Sequence, residues 1–113
     1  MPHCIIEYSK SIESSLDVNA LLLGVHQTVV ASPLFEAKSI KIRAIAYEHY
    51  LIGGEKKSFI HITLRMLSGR NYQQKMHLTQ SLIDKLSDIA KPPISMSVEV
   101  MDIEKVSYKK LVL

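Results

Sequence analysis

Residues 58–67 read SFIHITLRML, an alternation of apolar and polar side chains from which the architecture can be built. Side chains on a β-strand point alternately to its two faces, so Ile60, Ile62 and Leu64 share one face and His61 lies on the other. This alternation predicts a strand with one face against a core. The same period of two recurs in residues 2–9, 39–50 and 94–103.

Two of the intervening stretches have the spacing of amphipathic helices. The first is expected to begin after Asp17, a favourable N-cap, and to run to about Ala31. The second is expected to begin near Asn71 and to end before Pro92-Pro93, because the residue before a proline disfavours helical backbone. The apolar spacing predicts a buried stripe on each helix, formed in the first by Leu22, Val25 and Val29 and in the second by Tyr72, Met76, Thr79, Ile83, Leu86 and Ala90, widened by Leu82 and Ile89.

The predicted order is strand-helix-strand twice, so the chain forms two similar halves. Parallel strands joined by a helix cross over with a right hand, which would place both helices on one face of a four-stranded mixed sheet. Gly53-Gly54 is expected to form a hairpin turn between the second and third strands. The sequence therefore predicts an α+β fold, a β-α-β repeat, in a single domain over residues 1–113.

The opposite face of the predicted sheet has no helix left to cover it. Its side chains mix apolar and polar character and include Lys41, Ile45, Tyr47, Phe59, His61 and Thr63. An uncovered face of this kind invites another subunit. We therefore expect the protein to form oligomers through its sheet.

The composition argues against several classes of protein. The 113 residues carry a net charge of +3, and the basic residues are spread along the chain rather than clustered as in nucleic-acid-binding proteins. No apolar run approaches the roughly 20 residues that span a bilayer, and the N-terminal residues lack the pattern of a secretory signal. We expect a cytoplasmic protein with neither nucleic acid nor membrane as a partner.

The cysteine and histidine residues give no sign of metal or thiol chemistry. Cys4 is the only cysteine, so no intrachain disulfide can form, and it is expected to be a buried small apolar residue rather than a nucleophile. The five histidines have no spacing typical of zinc ligands, so we expect no metal site.

The chain begins Met1-Pro2, and methionine is normally removed when the next residue is small. Removal would leave the secondary amine of Pro2 at the N-terminus. An α-amino group has a pKa near 8, and burial or a neighbouring cation lowers that pKa further. Such an amine can act as a general base at neutral pH. The plain alternative is that Met-Pro is a common start with no chemical role.

Three cations are candidates for binding an anionic substrate. Lys41 and Arg43 are two residues apart on the second predicted strand, so their side chains point to the same side. Arg70 precedes the second predicted helix and follows a glycine, a setting that suits a carboxylate. The alternative for each is a solvated charge that protects a strand edge.

Several short stretches together resemble one known family. They are residues 1–9 (MPHCIIEYS), 40–43 (IKIR), 61–64 (HITL), 68–70 (SGR) and 98–100 (VEV). In this order they are similar to the 5-carboxymethyl-2-hydroxymuconate isomerase family of the tautomerase superfamily. The likeness extends over nearly the whole chain.

The resemblance implies a trimeric β-α-β repeat that needs no cofactor. It implies an isomerase that converts an enol to a conjugated ketone, with the terminal proline moving the proton and arginines holding the carboxylates of the substrate. Pro2 and Arg70 match that pattern, and Arg43 matches a second arginine. Lys41 stands where a substrate-binding arginine is expected, and lysine keeps the charge but lacks the bidentate fork.

Two other functions are compatible with the same sequence. One is a tautomerase of the same superfamily with another substrate, such as a phenylpyruvate-type enzyme. The other is a trimeric binding protein that keeps the fold without catalysis. A retained Met1 would favour the binding protein, because Pro2 would then be an amide without basic character.

Overall fold

The computed structural model describes all 113 residues. Its strands are β1 (His3–Ser9), β2 (Lys41–Tyr47), β3 (Phe59–Leu67) and β4 (Ser95–Ile103), and its helices are α1 (Val18–Ala31) and α2 (Tyr72–Ile89). Three short 3₁₀ turns lie at Lys10–Ser14, Ala37–Ser39 and Lys105–Ser107. The expected order of strand-helix-strand, repeated once, is confirmed.

The four strands form one mixed sheet in the order β2-β1-β3-β4. β1 is parallel to β2 and antiparallel to β3, and β3 is parallel to β4. The hairpin expected between the second and third strands is therefore wrong, because β1 lies between them. Gly53 and Gly54 still make a tight turn with positive φ, but that turn closes only an isolated bridge between Ile52 and Glu55.

Polar side chains fix where each helix begins. The carboxylate of Asp17 accepts a hydrogen bond from the backbone N–H of Asn19 at 2.9 Å. At the start of α2, Asn71 and Gln74 form a reciprocal capping box, each side chain accepting from the other residue's backbone N–H. Both N-termini thus lie where the sequence predicts them.

The two helices pack on one face of the sheet and enclose the core. The fully or nearly buried apolar side chains are Cys4, Ile6, Tyr8, Ile12, Leu21, Val25, Val29, Ile40, Ile60, Ile62, Leu64, Met66, Leu78, Leu82 and Leu86. The strand positions among them are the even-numbered ones, as the alternation predicts. Each fully buried leucine or isoleucine contributes roughly 1.5–3 kcal/mol of transfer free energy.

The buried stripes of the helices differ from those expected. In α1 the fully buried leucine is Leu21, and Leu22 is only partly buried. In α2 the row Leu78, Leu82 and Leu86 faces the core, while Tyr72 is 82% exposed. The three leucines at a spacing of four give the sheet an unbroken apolar row, so their burial decides how the helix is rotated.

All the candidate site residues belong to one edge of the sheet. Here "edge" means the end of the sheet at which strand termini meet. The first residue of β1, His3, pairs with Lys41 at the start of β2 and with Arg65 near the end of β3. The last residues of β3 and β4, Leu67 and Ile103, pair with each other, so β1 and β2 begin at this edge and β3 and β4 end there. We call this the N-terminal edge.

Neither helix has the combination of length and hydropathy that a bilayer span requires.

The face of the sheet opposite the helices is called the bare face below. Its side chains come from the odd-numbered strand positions, including His3, Ile5, Glu7, Lys41, Arg43, Ile45, Tyr47, Phe59, His61, Thr63, Arg65, Ser97 and Glu99. No helix covers this face, and the side chain of Ile45 is 47% exposed. The face is thus as uncovered as the sequence predicts.

Candidate active site

The first two residues are held firmly at the N-terminal edge. The terminal amine of Met1 donates to the carbonyl oxygen of Ser39 at 2.9 Å, and the Ser39 hydroxyl donates to the carbonyl oxygen of Met1 at 2.6 Å. The carbonyl oxygen of Pro2 accepts from the backbone N–H of Lys41 at 3.0 Å, and the Pro2 side chain is fully buried. The start of the chain is therefore an ordered part of the sheet edge.

The electrostatic setting at this edge favours an uncharged amine. Burial, as the largest cause, and the neighbouring charges of Lys41 and Lys110 together lower the pKa of the Met1 amine from 8.0 to about 6. The Lys41 ammonium donates to the same Ser39 carbonyl at 3.1 Å. Two nitrogen donors thus share one carbonyl oxygen, and the lowered pKa lets the Met1 amine lose its charge near neutral pH.

The bare face carries a group of cations beside the first residues. Lys41 and Arg65 flank His3 in the strand register, and Arg43 follows Lys41 on the same side of β2. None of the three cations forms a salt bridge, since the four ion pairs of the chain involve other lysines and His61. We call Lys41, Arg43 and Arg65 the cation group. Its uncompensated charge makes this end of the face suitable for an anion.

His3 lies inside the cation group and is hydrogen-bonded on both ring nitrogens. Arg43 lies 3.1 Å from Nδ1, and the hydroxyl of Tyr108 lies 3.1 Å from Nε2. Burial lowers the pKa of His3, and the charges of Arg43 and Lys41 lower it further. His3 is therefore neutral at pH 7 and adds no charge to the group.

Arg70 lies at the same edge but contacts the backbone of the loop after α1. Its guanidinium donates to the carbonyl oxygens of Leu34 at 2.7 Å and Leu67 at 3.2 Å, and it stacks over Phe35 at 4.9 Å from the ring centroid. A guanidinium has five N–H donors, so several are left for a ligand. Gly69 has a φ of +129°, a conformation that favours glycine, and it changes the chain direction after β3 so that Arg70 lies beside Leu34 and Leu67.

The structure thus brings Pro2, Lys41 and Arg43 to one corner of the sheet, with Arg70 at the same edge and bound to backbone. Sequence reasoning missed Ser39, Arg65 and Tyr108 as neighbours of this corner. Arg65 follows His61 and Thr63 at a spacing of two in the third strand. The strand pattern therefore predicted that Arg65 lies on the same face as these two residues. Nothing in the sequence pattern indicates that Tyr108 reaches His3, since the two are 105 residues apart.

The remainder of the bare face carries a polar network. The hydroxyl of Tyr47 donates to the Glu7 carboxylate. His61 contacts the hydroxyl of Ser97 and the carboxylate of Glu99, each at 2.7 Å. No three His, Cys, Asp or Glu side chains come together in a way that would hold a metal ion.

Cys4 lies on the other side of β1 and takes no part in this site. Its side chain is fully buried in the core, and burial raises the pKa of the thiol to about 12. The thiol therefore stays protonated, as expected for a small apolar residue in the core.

Two β-α-β units that share one sheet, with an amine beside cations where its first strand begins, define a tautomerase-fold protein. The chain matches the sequence model described as "5-carboxymethyl-2-hydroxymuconate isomerase" over residues 2–112. It belongs to the 5-carboxymethyl-2-hydroxymuconate isomerase family. A comparison with curated proteins gives no match.

Solved structures with the same fold cover almost the whole chain. A 5-carboxymethyl-2-hydroxymuconate isomerase from Deinococcus radiodurans R1 superposes with a TM-score of 0.85 at 23% identity, covering 97% of this chain and 88% of that one. A 5-carboxymethyl-2-hydroxymuconate delta-isomerase gives 0.79 at 18% identity, with 99% and 88% covered. A fused 4-OT described as a symmetric trimer gives 0.74 at 17% identity, with 92% and 87% covered. At these identities the likeness establishes the shared fold.

Proposed function

We propose that this chain is an isomerase that moves a proton within an unsaturated hydroxy or oxo carboxylic acid. The substrate class is that of a 5-carboxymethyl-2-hydroxymuconate delta-isomerase, in the breakdown of aromatic compounds. The amine of Pro2, after removal of Met1, is the general base. The observation that carries the proposal is the position of the chain start beside cations that have no carboxylate partner, where the pKa of the Met1 amine is lowered to about 6.

The base is the neutral secondary amine of Pro2. In the untrimmed chain this nitrogen belongs to an amide and has no basic lone pair. After trimming it becomes the terminal amine, one residue further into the edge than the Met1 amine. Pro2 is fully buried and its carbonyl oxygen accepts from the backbone of Lys41, so burial and the Lys41 charge should also lower the pKa of the Pro2 amine and leave much of it neutral at pH 7.

The reaction is a proton transfer in two steps. The Pro2 nitrogen takes the proton from the 2-hydroxyl of the dienol, which leaves a dienolate and a protonated amine. The protonated amine then gives the proton to a carbon further along the conjugated system, which yields the ketone and restores the base. No cofactor is needed, because the proton removed is the proton returned.

The substrate is held by its negative charges. Lys41 and Arg43 lie beside the amine without acidic partners and are placed to bind a carboxylate, and Arg70 has unused donors at the same edge. The same cations lower the free energy of the dienolate as its charge develops. A small anionic molecule is therefore the proposed ligand.

The active form is proposed to be a homotrimer in which the bare faces meet around a central axis, inside a shell of helices. The uncovered sheet supports this, because Ile45 and its neighbours on that face would otherwise remain in contact with water. The single unpaired Cys4 fits a reducing compartment, so the cytoplasm is the proposed location.

The test compares the trimmed protein with a variant in which a lysine is inserted between Met1 and Pro2, which blocks removal of the methionine. The trimmed protein should isomerise a carboxylated dienol, as followed by ultraviolet absorbance. The extended variant should be nearly inactive, while circular dichroism and light scattering show the same fold and size. Pro2→Ala keeps a terminal primary amine and should retain part of the activity.

Mass spectrometry must confirm the N-terminus of each sample. Equal rates for the extended and the trimmed proteins would exclude the Pro2 amine as the base. Phenylpyruvate serves as a second substrate in the same assay, and a faster reaction with it would move the protein to a different substrate class.

A further inference from the structure

A chain of hydrogen bonds links the cation group to the C-terminal part of the protein. Arg43 Nη1 lies 3.1 Å from Nδ1 of His3, and Nε2 of His3 lies 3.1 Å from the hydroxyl oxygen of Tyr108. The rings of His3 and Tyr108 meet edge to face with their centroids 6.1 Å apart. Neither His3 nor Tyr108 takes part in the proton transfer proposed above, so their contact needs a separate explanation.

The partners fix the direction in which the protons point. A guanidinium can only donate, so Nδ1 of His3 must accept from Arg43. A neutral imidazole that accepts at Nδ1 carries its proton at Nε2, and Nε2 then donates to the oxygen of Tyr108. The low pKa of His3 agrees with a neutral ring. The oxygen of Tyr108 thus receives a hydrogen bond, and its own proton is free to be donated elsewhere.

Nothing else in the chain uses that proton. The side chain of Tyr108 is partly buried, and its hydroxyl has His3 as its only hydrogen-bond partner. The segment that carries it also lies near the start of the chain, because Lys110 is among the charges that lower the pKa of the Met1 amine. A hydroxyl proton with no acceptor in the chain therefore lies on the Tyr108 ring beside His3, next to the cation group.

We propose that Tyr108 is a further catalytic residue, whose hydroxyl donates a hydrogen bond to the substrate oxygen that becomes the enolate oxygen. His3 and Arg43 position this hydroxyl through the hydrogen-bond chain. This inference rests on the proposed function, since it assigns a donor to the dienolate of that reaction. No atom is transferred from Tyr108: the hydrogen bond strengthens as negative charge develops on the substrate oxygen.

The simpler alternative is that Tyr108 only fastens the C-terminal segment to β1. The two explanations predict different measurements. A fastening role lowers the stability of the protein and leaves the turnover of the folded enzyme unchanged. A donor to the enolate lowers kcat and leaves KM little changed, because the interaction is made mainly in the transition state.

The experiment compares Tyr108→Phe with Tyr50→Phe in the trimmed protein. The control also loses one hydroxyl, and that hydroxyl contacts Ser11 at 3.2 Å, at the edge of the sheet opposite to Pro2. We expect Tyr108→Phe to reduce kcat by roughly a hundredfold, the effect typical of one donor to an oxyanion, and Tyr50→Phe to match the wild type. Thermal unfolding and light scattering establish that both variants are folded and of equal size.

A double-mutant cycle tests the role of His3. If His3 acts through Tyr108, His3→Ala should lower kcat, and the double variant should be no slower than Tyr108→Phe alone. Nitrogen NMR of His3 should show the proton on Nε2 in the wild type. A proton on Nδ1, or additive effects in the cycle, would overturn the positioning role.

The outcomes separate this inference from the proposed function. An active wild type with a Tyr108→Phe variant as fast as the Tyr50→Phe control would overturn the role of Tyr108 and leave the Pro2 mechanism intact. A trimmed wild type that isomerises no dienol acid would overturn both.

Discussion

Lys41 is predicted to control the protonation of the N-terminal amine, and the variant Lys41→Gln tests this with one change of charge. In the untrimmed chain the pKa of the Met1 amine is lowered from 8.0 to about 6, with burial as the largest cause and Lys41 next, and we expect the same causes to act on the Pro2 amine. Removing the second cause should return part of this shift. We expect the pKa of the terminal amine in the trimmed protein to rise by about one pH unit.

The sign of the effect on activity follows from the form of the amine that reacts. The base is the neutral amine, so a higher pKa leaves less of it active on the acid side. With a pKa near 6 about half of the amine is neutral at pH 6, and with a pKa near 7 only about one-tenth is neutral. Lys41→Gln should therefore lose roughly fivefold more activity at pH 6 than at pH 8.

The pH dependence separates this effect from substrate binding. The loss of Lys41 as a carboxylate ligand lowers kcat/KM without moving the pH at which activity falls on the acid side. The change in the amine pKa instead moves the acid side of the curve of kcat/KM against pH to higher pH. Direct titration of the terminal proline by NMR gives the same pKa without substrate.

Two further variants complete this test. Lys57→Gln removes the same charge at the opposite edge of the sheet, where Lys57 pairs with Glu55 at 2.8 Å, and it should leave the amine pKa unchanged. Lys41→Arg restores the charge, should restore the low pKa, and should preserve or improve turnover of a muconate-like substrate. Equal amine pKa values in Lys41→Gln and Lys57→Gln would show that the nearby charge of Lys41 does not lower the amine pKa.

Two other predictions concern Arg70 and the bare face. Arg70→Ala should raise KM about thirtyfold, from the loss of a charge-assisted contact of about 2 kcal/mol; a lower Tm with an unchanged KM would instead assign Arg70 to holding the loop at Leu34. Ile45→Lys should reduce the trimer to monomers in light scattering, because a lone charge buried in the interface costs several kcal/mol, whereas Met76→Lys on the exposed side of α2 should remain trimeric. A trimeric Ile45→Lys would exclude the bare face as the contact surface.

The family, the element types and most of the element boundaries could be predicted from the sequence. Strand alternation is local information, so the residues of each strand that face the core were predictable without knowledge of the neighbouring strands. Caps and prolines are local in the same way, which is why Asp17, Asn71 and Pro92-Pro93 bound the helices as predicted. The Met1-Pro2 start identified the candidate base.

The strand order was decided only by the tertiary structure. The Gly53-Gly54 turn predicted a β2-β3 hairpin, yet β1 lies between these two strands. Backbone hydrogen bonds are alike for every pair of strands, so the packing of the whole core decides which strands pair. The rotation of α2 was likewise set by the fit of Leu78, Leu82 and Leu86 to the sheet.

The detailed surroundings of the candidate site also required the fold. A sequence pattern gives the face on which a side chain lies but not the partner it meets across the sheet. Pairing of β1 with β2 and β3 brings Lys41 and Arg65 to either side of His3, and the return of the chain after β4 brings Tyr108 to the same ring. These contacts join residues far apart in the chain, so their formation depends on the free energy of the complete fold and leaves no local periodicity in the sequence.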